Sequence, residues 1–165
     1  MSRTERKVLS KSTAVIADFL NKVYCHGRRI FSYFWYVSSL HLEGIGFVTY
    51  ANALKTQTNG KLEHTELPAN RIQELGDSLQ SELVGRAKYS VIGLLDPTKH
   101  LTLHLEAERT PEFEDKAVEN YNNLAKKTLE LGDHVTYNLA TTISANQIKN
   151  KQQYQRQCQI AITKK

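Results

Sequence analysis

The sequence TPEFEDKAVENYNNLAKKTLELG, at residues 110–132, carries the clearest helix signal in the chain. Thr110 can cap a helix, Pro111 suits a first turn, and the acidic residues that follow favour the positive end of the helix dipole. Gly132 is placed to end the helix. An apolar stripe runs between these ends at helical spacing, and it consists of Phe113, Ala117, Tyr121, Leu124, Thr128 and Leu131. Such a helix is expected to lie on a flat surface.

Two further helices are predicted closer to the start of the chain. The first ends at Gly27 and has a stripe made of Val8, Thr13, Ile16, Phe19, Leu20 and Val23. The second follows Pro68 and ends before Gly85, with a stripe made of Ile72, Leu75, Leu79 and Leu83. Gly76 inside it weakens this helix by about 1 kcal/mol relative to alanine.

Alternation of apolar and polar residues predicts strands in the remaining segments. The Asn59-Gly60 pair and the sequence at 96–99 are typical of hairpin turns. Sequential hairpins imply an antiparallel sheet, because parallel strands need long crossovers. The fold class predicted is therefore α+β: a single curved antiparallel sheet of about six to seven strands, with three helices packed mainly on one face. The strands are expected at residues 31–38, 46–54, 61–67, 89–95, 101–107, 135–143 and 154–162.

The composition fits one globular domain. The chain has 165 residues, of which 40% are apolar and 24% charged, so we expect a single domain over residues 1–165 with residues 1–7 and 163–165 frayed. The longest apolar stretch, residues 30–42, is too short and too interrupted to span a membrane, and a cytoplasmic location is expected. Cys25 and Cys158 lack metal-ligand spacing; reduced thiols are favoured, and one long-range disulfide remains open.

Charge is distributed unevenly along the chain. Residues 1–30 have a balance of +5, residues 31–133 a balance of −5, and residues 134–165 carry five basic residues and no acidic one. Such asymmetry indicates an anionic partner, nucleic acid first, or complementary contacts between copies of the chain.

The segment EGIGFVTY at residues 43–50 resembles a strand motif of the RNA-recognition-motif family, and WYVSSL at 35–40 resembles the other one. Glu43 stands where that family has a basic residue, Ile45 where it has a ring, and the two motifs abut as a hairpin, so the family's fold is not carried over. A hairpin formed by these two segments would present the rings of Phe34, Tyr36 and Tyr50 beside Arg28 and Arg29. Rings and guanidinium groups are suited to single-stranded nucleic acid.

Two short motifs, His100-Leu-Thr102-Leu and His134-Val-Thr136-Tyr, resemble the pattern of two-histidine phosphoesterases, which would imply acid–base catalysis on a phosphodiester. The same alternation is typical of the solvent side of a strand. Because the sequence contains no Gly-rich phosphate loop, GxSxG or HExxH motif, we expect no catalytic residue, metal site or cofactor.

The leading hypothesis is a non-enzymatic module that binds RNA or single-stranded DNA. An assembly subunit of a homo-oligomer, or of a viral or secretion particle, is the first alternative. A small enzyme acting on acyl or phosphodiester substrates is the second. The expected partners are nucleic acid or another anion and possible further copies, without a membrane. The predicted nucleic-acid-binding residues are Arg28, Arg29, Tyr36, Tyr50, Lys149, Lys151 and Arg156.

Overall fold

The computed structural model describes residues 3–39, 45–82, 85, 89–90 and 103–163. Four long helices account for most of these residues: α1 (Arg3–Ser39), α2 (Ile45–Glu74), α3 (Leu103–Glu130) and α4 (His134–Thr163). The described ranges contain no strand. No helix in them is long and apolar enough to cross a membrane.

The helices form a four-helix bundle. α1 packs along α2 and α3 packs along α4, while further contacts join α1 to α3 and α2 to α4. Direct α1–α4 contacts are absent from the described residues and α2–α3 contacts are few, so these two pairs lie across the diagonals of the bundle.

Side-chain contacts fix the helix directions. Lys61 of α2 meets Gln147 of α4, and ten residues later Arg71 meets Asp133 just before α4, so α2 and α4 are antiparallel. Lys61 also meets Glu114 of α3, and the backbone of His64 meets the later Tyr121, so α2 and α3 run in the same direction.

The connection between α2 and α3 must therefore cross the length of the bundle. Seen from Lys61, the end of α2 lies towards one end of the bundle and the start of α3 towards the other. At 1.5 Å per helical residue, these two points are roughly 35 Å apart. Within this connection, Ser78 and Gln80 contact α1: Asn21 Nδ2 donates to the Ser78 carbonyl at 3.2 Å, and the Gln80 amide donates to Asn21 Oδ1 at 2.9 Å. Two helical hairpins joined by one long crossover are a known bundle topology.

The apolar core lies between all four helices. Most of the stripe predicted at 110–132 is buried, from Phe113 to Thr128, and that prediction is confirmed. The core cluster consists of Ile16, Leu20, Val23, Ile72, Tyr121, Leu124, Ala125, Ala140 and Ile143.

Glycines end α2 and α3, and a third glycine lets α1 and α2 approach each other closely. Gly76 (φ +76°) and Gly132 (φ +75°) adopt the left-handed conformation that favours glycine. At Gly132, the amide donates to Leu129 O and the next amide donates to Thr128 O, which is the Schellman arrangement. Gly132 thus terminates α3 as predicted. Gly27 instead lies inside α1, where a Cβ atom would stand 2.5 Å from Thr65 Cγ2; its role is close packing of α1 on α2.

The predicted α+β class and its antiparallel sheet are wrong. Residues 31–38 belong to α1, 46–54 and 61–67 to α2, 103–107 to α3, and 135–143 and 154–162 to α4; residues 91–102 lie outside the described part. Segment 135–143 shows the reason for the error. Thr136, Ala140 and Ile143 are its buried residues, and this helical spacing was obscured because one of them is polar.

Three further predicted helix boundaries are also wrong. The helix predicted to end before Gly85 ends at Glu74. Pro68 lies inside α2 and does not precede a helix, and Pro111 lies inside α3, which begins eight residues earlier at Leu103.

Candidate functional site

A layer of buried polar side chains crosses the middle of the bundle. Each helix contributes at least one member, and all of them are at most 8% exposed. We call this set the polar layer; its members are His26 of α1, Lys61 and His64 of α2, Glu114 of α3 and Gln147 of α4. Polar groups in such a place need partners, because burying them without hydrogen bonds is costly.

Lys61 lies at the centre of the polar layer. Its ammonium donates to Glu114 Oε2 and to Gln147 Oε1, which brings α2, α3 and α4 together at one atom. Burial lowers the pKa of Lys61, and the ion pair with Glu114 opposes that shift. The layer thus contains one cation and one carboxylate in direct contact.

The two histidines of the layer are neutral at physiological pH. The pKa of each is lowered from 6.5 to about 4, mainly by burial and to a smaller extent by the nearby charge of Lys61. His26 Nε2 lies 3.2 Å from the Phe113 carbonyl, and because a carbonyl only accepts, this nitrogen carries the proton. Nδ1 of both rings and Glu114 Oε1 have no hydrogen-bond partner within the described structure.

A second polar cluster closes one end of the bundle. Asp133 caps α4 by accepting from the Thr136 amide at 3.0 Å and from the Thr136 hydroxyl at 2.5 Å. Arg71 Nη2 donates to both carboxylate oxygens of Asp133 at 3.2 Å. Although burial raises the pKa of Asp133, the bonds from Thr136 and Arg71 outweigh it and lower the pKa overall. This cluster lines an open, mostly apolar pocket of about 290 Å³, and its groups are accounted for by helix capping.

Within the described residues, the five predicted cations lie on two helices that do not touch each other. Arg28 and Arg29 are half-buried on α1, and the Arg28 guanidinium lies 5.4 Å from the centre of the Phe31 ring. Lys149, Lys151 and Arg156 lie on α4, diagonally opposite α1. Within the described structure, the two groups of cations are on helices without direct contact.

The other predicted residues give no further support to that surface. Lys151 is half-buried and its ammonium binds Asp115 of α3, so one of the cations is neutralised within the chain. Tyr36 belongs to α1 and Tyr50 to α2, neither to a strand; their rings lie outside the described part. His134 is exposed at the start of α4, and His100 lies in the undescribed segment, which leaves the two-histidine prediction untested.

Comparison with known proteins shows to which family this bundle belongs. The ferritin-like domain profile matches residues 20–161, which include the second half of α1, all of α2 and α3, nearly all of α4 and the whole polar layer. The chain belongs to the ferritin-like family. This membership overturns the predicted sheet and gives the nucleic-acid interpretation no support, whereas the assembly-subunit alternative is compatible with it.

Solved structures share the ferritin-like fold at low sequence identity. A dodecameric thioferritin from Bacteroides fragilis superposes with a TM-score of 0.79 at 18% identity, covering 98% of this chain and 94% of that one. Antigen TpF1 from Treponema pallidum gives 0.79 at 18% identity, covering 88% and 92%. Dps from Vibrio cholerae, described as a ferritin-like diiron-carboxylate protein, gives 0.79 at 14%, covering 87% and 89%. No curated protein sequence matches the chain significantly.

The polar layer does not fit the dimetal centre known from ferritin-like carboxylate proteins. That centre takes a Glu from each of two helices and a Glu-x-x-His motif from each of the other two. Here α2 supplies Lys61-x-x-His64, α4 supplies Gln147-x-x-Asn150, and Glu114 is the carboxylate of the layer. In the described part of the chain, no three His, Cys, Asp or Glu side chains converge as a metal site would require. We therefore assign no metal chemistry to this layer.

Sequence reasoning missed the whole polar layer. Lys61 and His64 were placed on a predicted strand and Gln147 in a predicted loop, so their shared helical level was hidden. The usable signal was the three-residue spacing of Lys61 and His64 and of Gln147 and Asn150, since residues three apart share a helix face.

Proposed function

We propose that the chain is the repeating subunit of a closed homo-oligomeric shell, with its bundle interior serving as structural support. The observation that carries the proposal is the reciprocal coverage with the dodecameric thioferritin, 98% of this chain against 94% of that one. A chain that superposes on a subunit of a dodecamer along nearly its whole length has the surfaces that an assembly of the same kind requires.

The chemistry of the polar layer supports the structural part of the proposal. A bundle that oxidised iron inside each subunit would need several carboxylates at one level. In this chain, the Lys61–Glu114 pair and the Gln147 amide occupy that level instead. The uneven charge along the chain fits the assembly as well, because cationic and anionic segments of neighbouring copies can meet.

Light scattering after size exclusion tests the assembly directly. Twelve copies of the 18.8 kDa chain weigh about 226 kDa, and a species near that mass is expected at micromolar concentration and moderate salt. The measurement is repeated across salt concentrations, since charged contacts between subunits weaken as salt rises. A chain that stays at 18.8 kDa at every concentration and salt tested would refute the proposal.

A gel-shift titration with single-stranded and duplex DNA, on the same samples, separates assembly from the earlier nucleic-acid hypothesis. A 226 kDa species that does not change the mobility of either DNA probe supports assembly without nucleic-acid binding.

A further inference from the structure

The polar layer has its own source of positive charge. Lys61 is 1% exposed and Glu114 is fully buried, and they are in direct contact between α2 and α3. Gln147 accepts from the same ammonium across the bundle. The ammonium therefore joins three helices at the level where a dimetal bundle joins its helices through metal ions.

Charge balance within the layer argues against an additional cation. The ammonium and the carboxylate cancel, Gln147 is an uncharged amide, and both histidines are neutral at physiological pH because burial holds their pKa near 4. A divalent ion added here would be a buried charge without a compensating carboxylate, which is strongly unfavourable.

The field of Lys61 acts in the same direction. Its charge disfavours protonation of His26 and of His64, in addition to the larger effect of burial. A field that opposes one positive charge on these rings opposes a dication at the same rings more strongly, because Coulomb energy scales with charge.

We propose that the Lys61 ammonium replaces the metal of the bundle interior, so that this ferritin-like chain folds and holds its helices together without a metal and excludes divalent cations from the polar layer. This inference concerns the interior of one subunit and is independent of the assembly proposed above.

The first test compares the wild-type chain with Glu114→Gln. Co²⁺ is the probe, because its visible absorption reports inner-sphere coordination, and thermal unfolding is followed in EDTA and in Co²⁺. The wild-type midpoint is expected to be the same in both, with no Co²⁺ absorption that depends on Glu114. Co²⁺ binding by the wild type that is lost in Glu114→Gln would overturn the proposal.

The second test reverses the charge of the layer. Lys61→Glu places a second carboxylate beside Glu114 and His64, so the variant is expected to unfold at a lower temperature in EDTA and to recover by several degrees in Co²⁺. Lys55→Glu is the matched control, because it makes the same change at an exposed position of α2 and is expected to show no recovery. Equal responses of the two variants to Co²⁺ would contradict the proposal.

A third comparison covers the case in which Lys61→Glu does not fold. Lys61→Met leaves the Glu114 carboxylate buried without its cation, and a drop of roughly 6–20 °C in the unfolding midpoint is expected. Lys61→Met combined with Glu114→Leu removes both charges and is expected to recover most of that drop in EDTA. A double variant that is as unstable as the single one would show that the charge pair is not what stabilises the layer.

Discussion

Acidification is expected to destabilise the bundle through His26. The ring is 1% exposed, and burial lowers its pKa from 6.5 to about 4. Because the pKa is lower in the folded state, the unfolded state binds more protons between these two values, and stability must fall as the pH decreases through that window. This shift in pKa corresponds to a loss of roughly 3 kcal/mol in the free energy of unfolding, and the full loss is reached only below about pH 4.

The variant His26→Gln isolates this effect. Glutamine retains an N–H donor for the Phe113 carbonyl, which His26 Nε2 contacts at 3.2 Å, and it does not titrate. Urea unfolding is measured from pH 7.5 down to pH 4.5 for both proteins. The wild type is expected to lose about 2–3 kcal/mol more than the variant over that range. Carboxylates and His64 titrate in both proteins, so their contributions cancel in the difference.

His134→Gln is the matched control, because it removes an exposed histidine at the start of α4 that is not part of the polar layer. The reasoning is refuted if wild type and His26→Gln lose stability in parallel, since the buried ring would then not be the group that takes up the proton.

Two further substitutions test the packing and capping of the bundle. Gly27→Ala is expected to lower the free energy of unfolding by about 1–3 kcal/mol, because the new Cβ would lie 2.5 Å from Thr65 Cγ2. Adding Thr65→Ser removes that methyl group, and the double variant should regain most of the lost stability in urea unfolding. If it regains none, the strain lies elsewhere. Asp133→Ala should lower the free energy of unfolding by about 1–2 kcal/mol, because α4 loses its cap. Asp77→Ala, at an exposed position, is the control and should have a smaller effect. Equal unfolding midpoints for the two variants would show that the cap is not stabilising.

The sequence predicted helices best where the buried face is apolar. The stripe from Phe113 to Leu124 repeats at helical spacing, and Gly132 ends α3 because its positive φ disfavours other residues. In α4 the buried face includes Thr136, Ser144 and Gln147, so the pattern of apolar residues alone does not show the helical period there.

The polar layer was beyond single-sequence reasoning for a different reason. Lys61 is separated from Glu114 by 53 residues and from Gln147 by 86, and charged residues are almost never fully buried unless they are paired. Without knowledge of which helices are neighbours, the lysine is expected in solvent. Gly27 was misassigned on similar grounds, because the residue that requires it, Thr65, lies on another helix.

The long crossover has a consequence for how the chain reaches its structure. The pair α1–α2 and the pair α3–α4 each consist of helices that are neighbours both in sequence and in space. Each pair, which is one half of the bundle, can therefore fold through local contacts, and such contacts form fast. Joining the halves is the non-local step, and it brings the ammonium on one half to the carboxylate and amide on the other. Docking of two preformed halves is thus the moment at which the buried charges lose water.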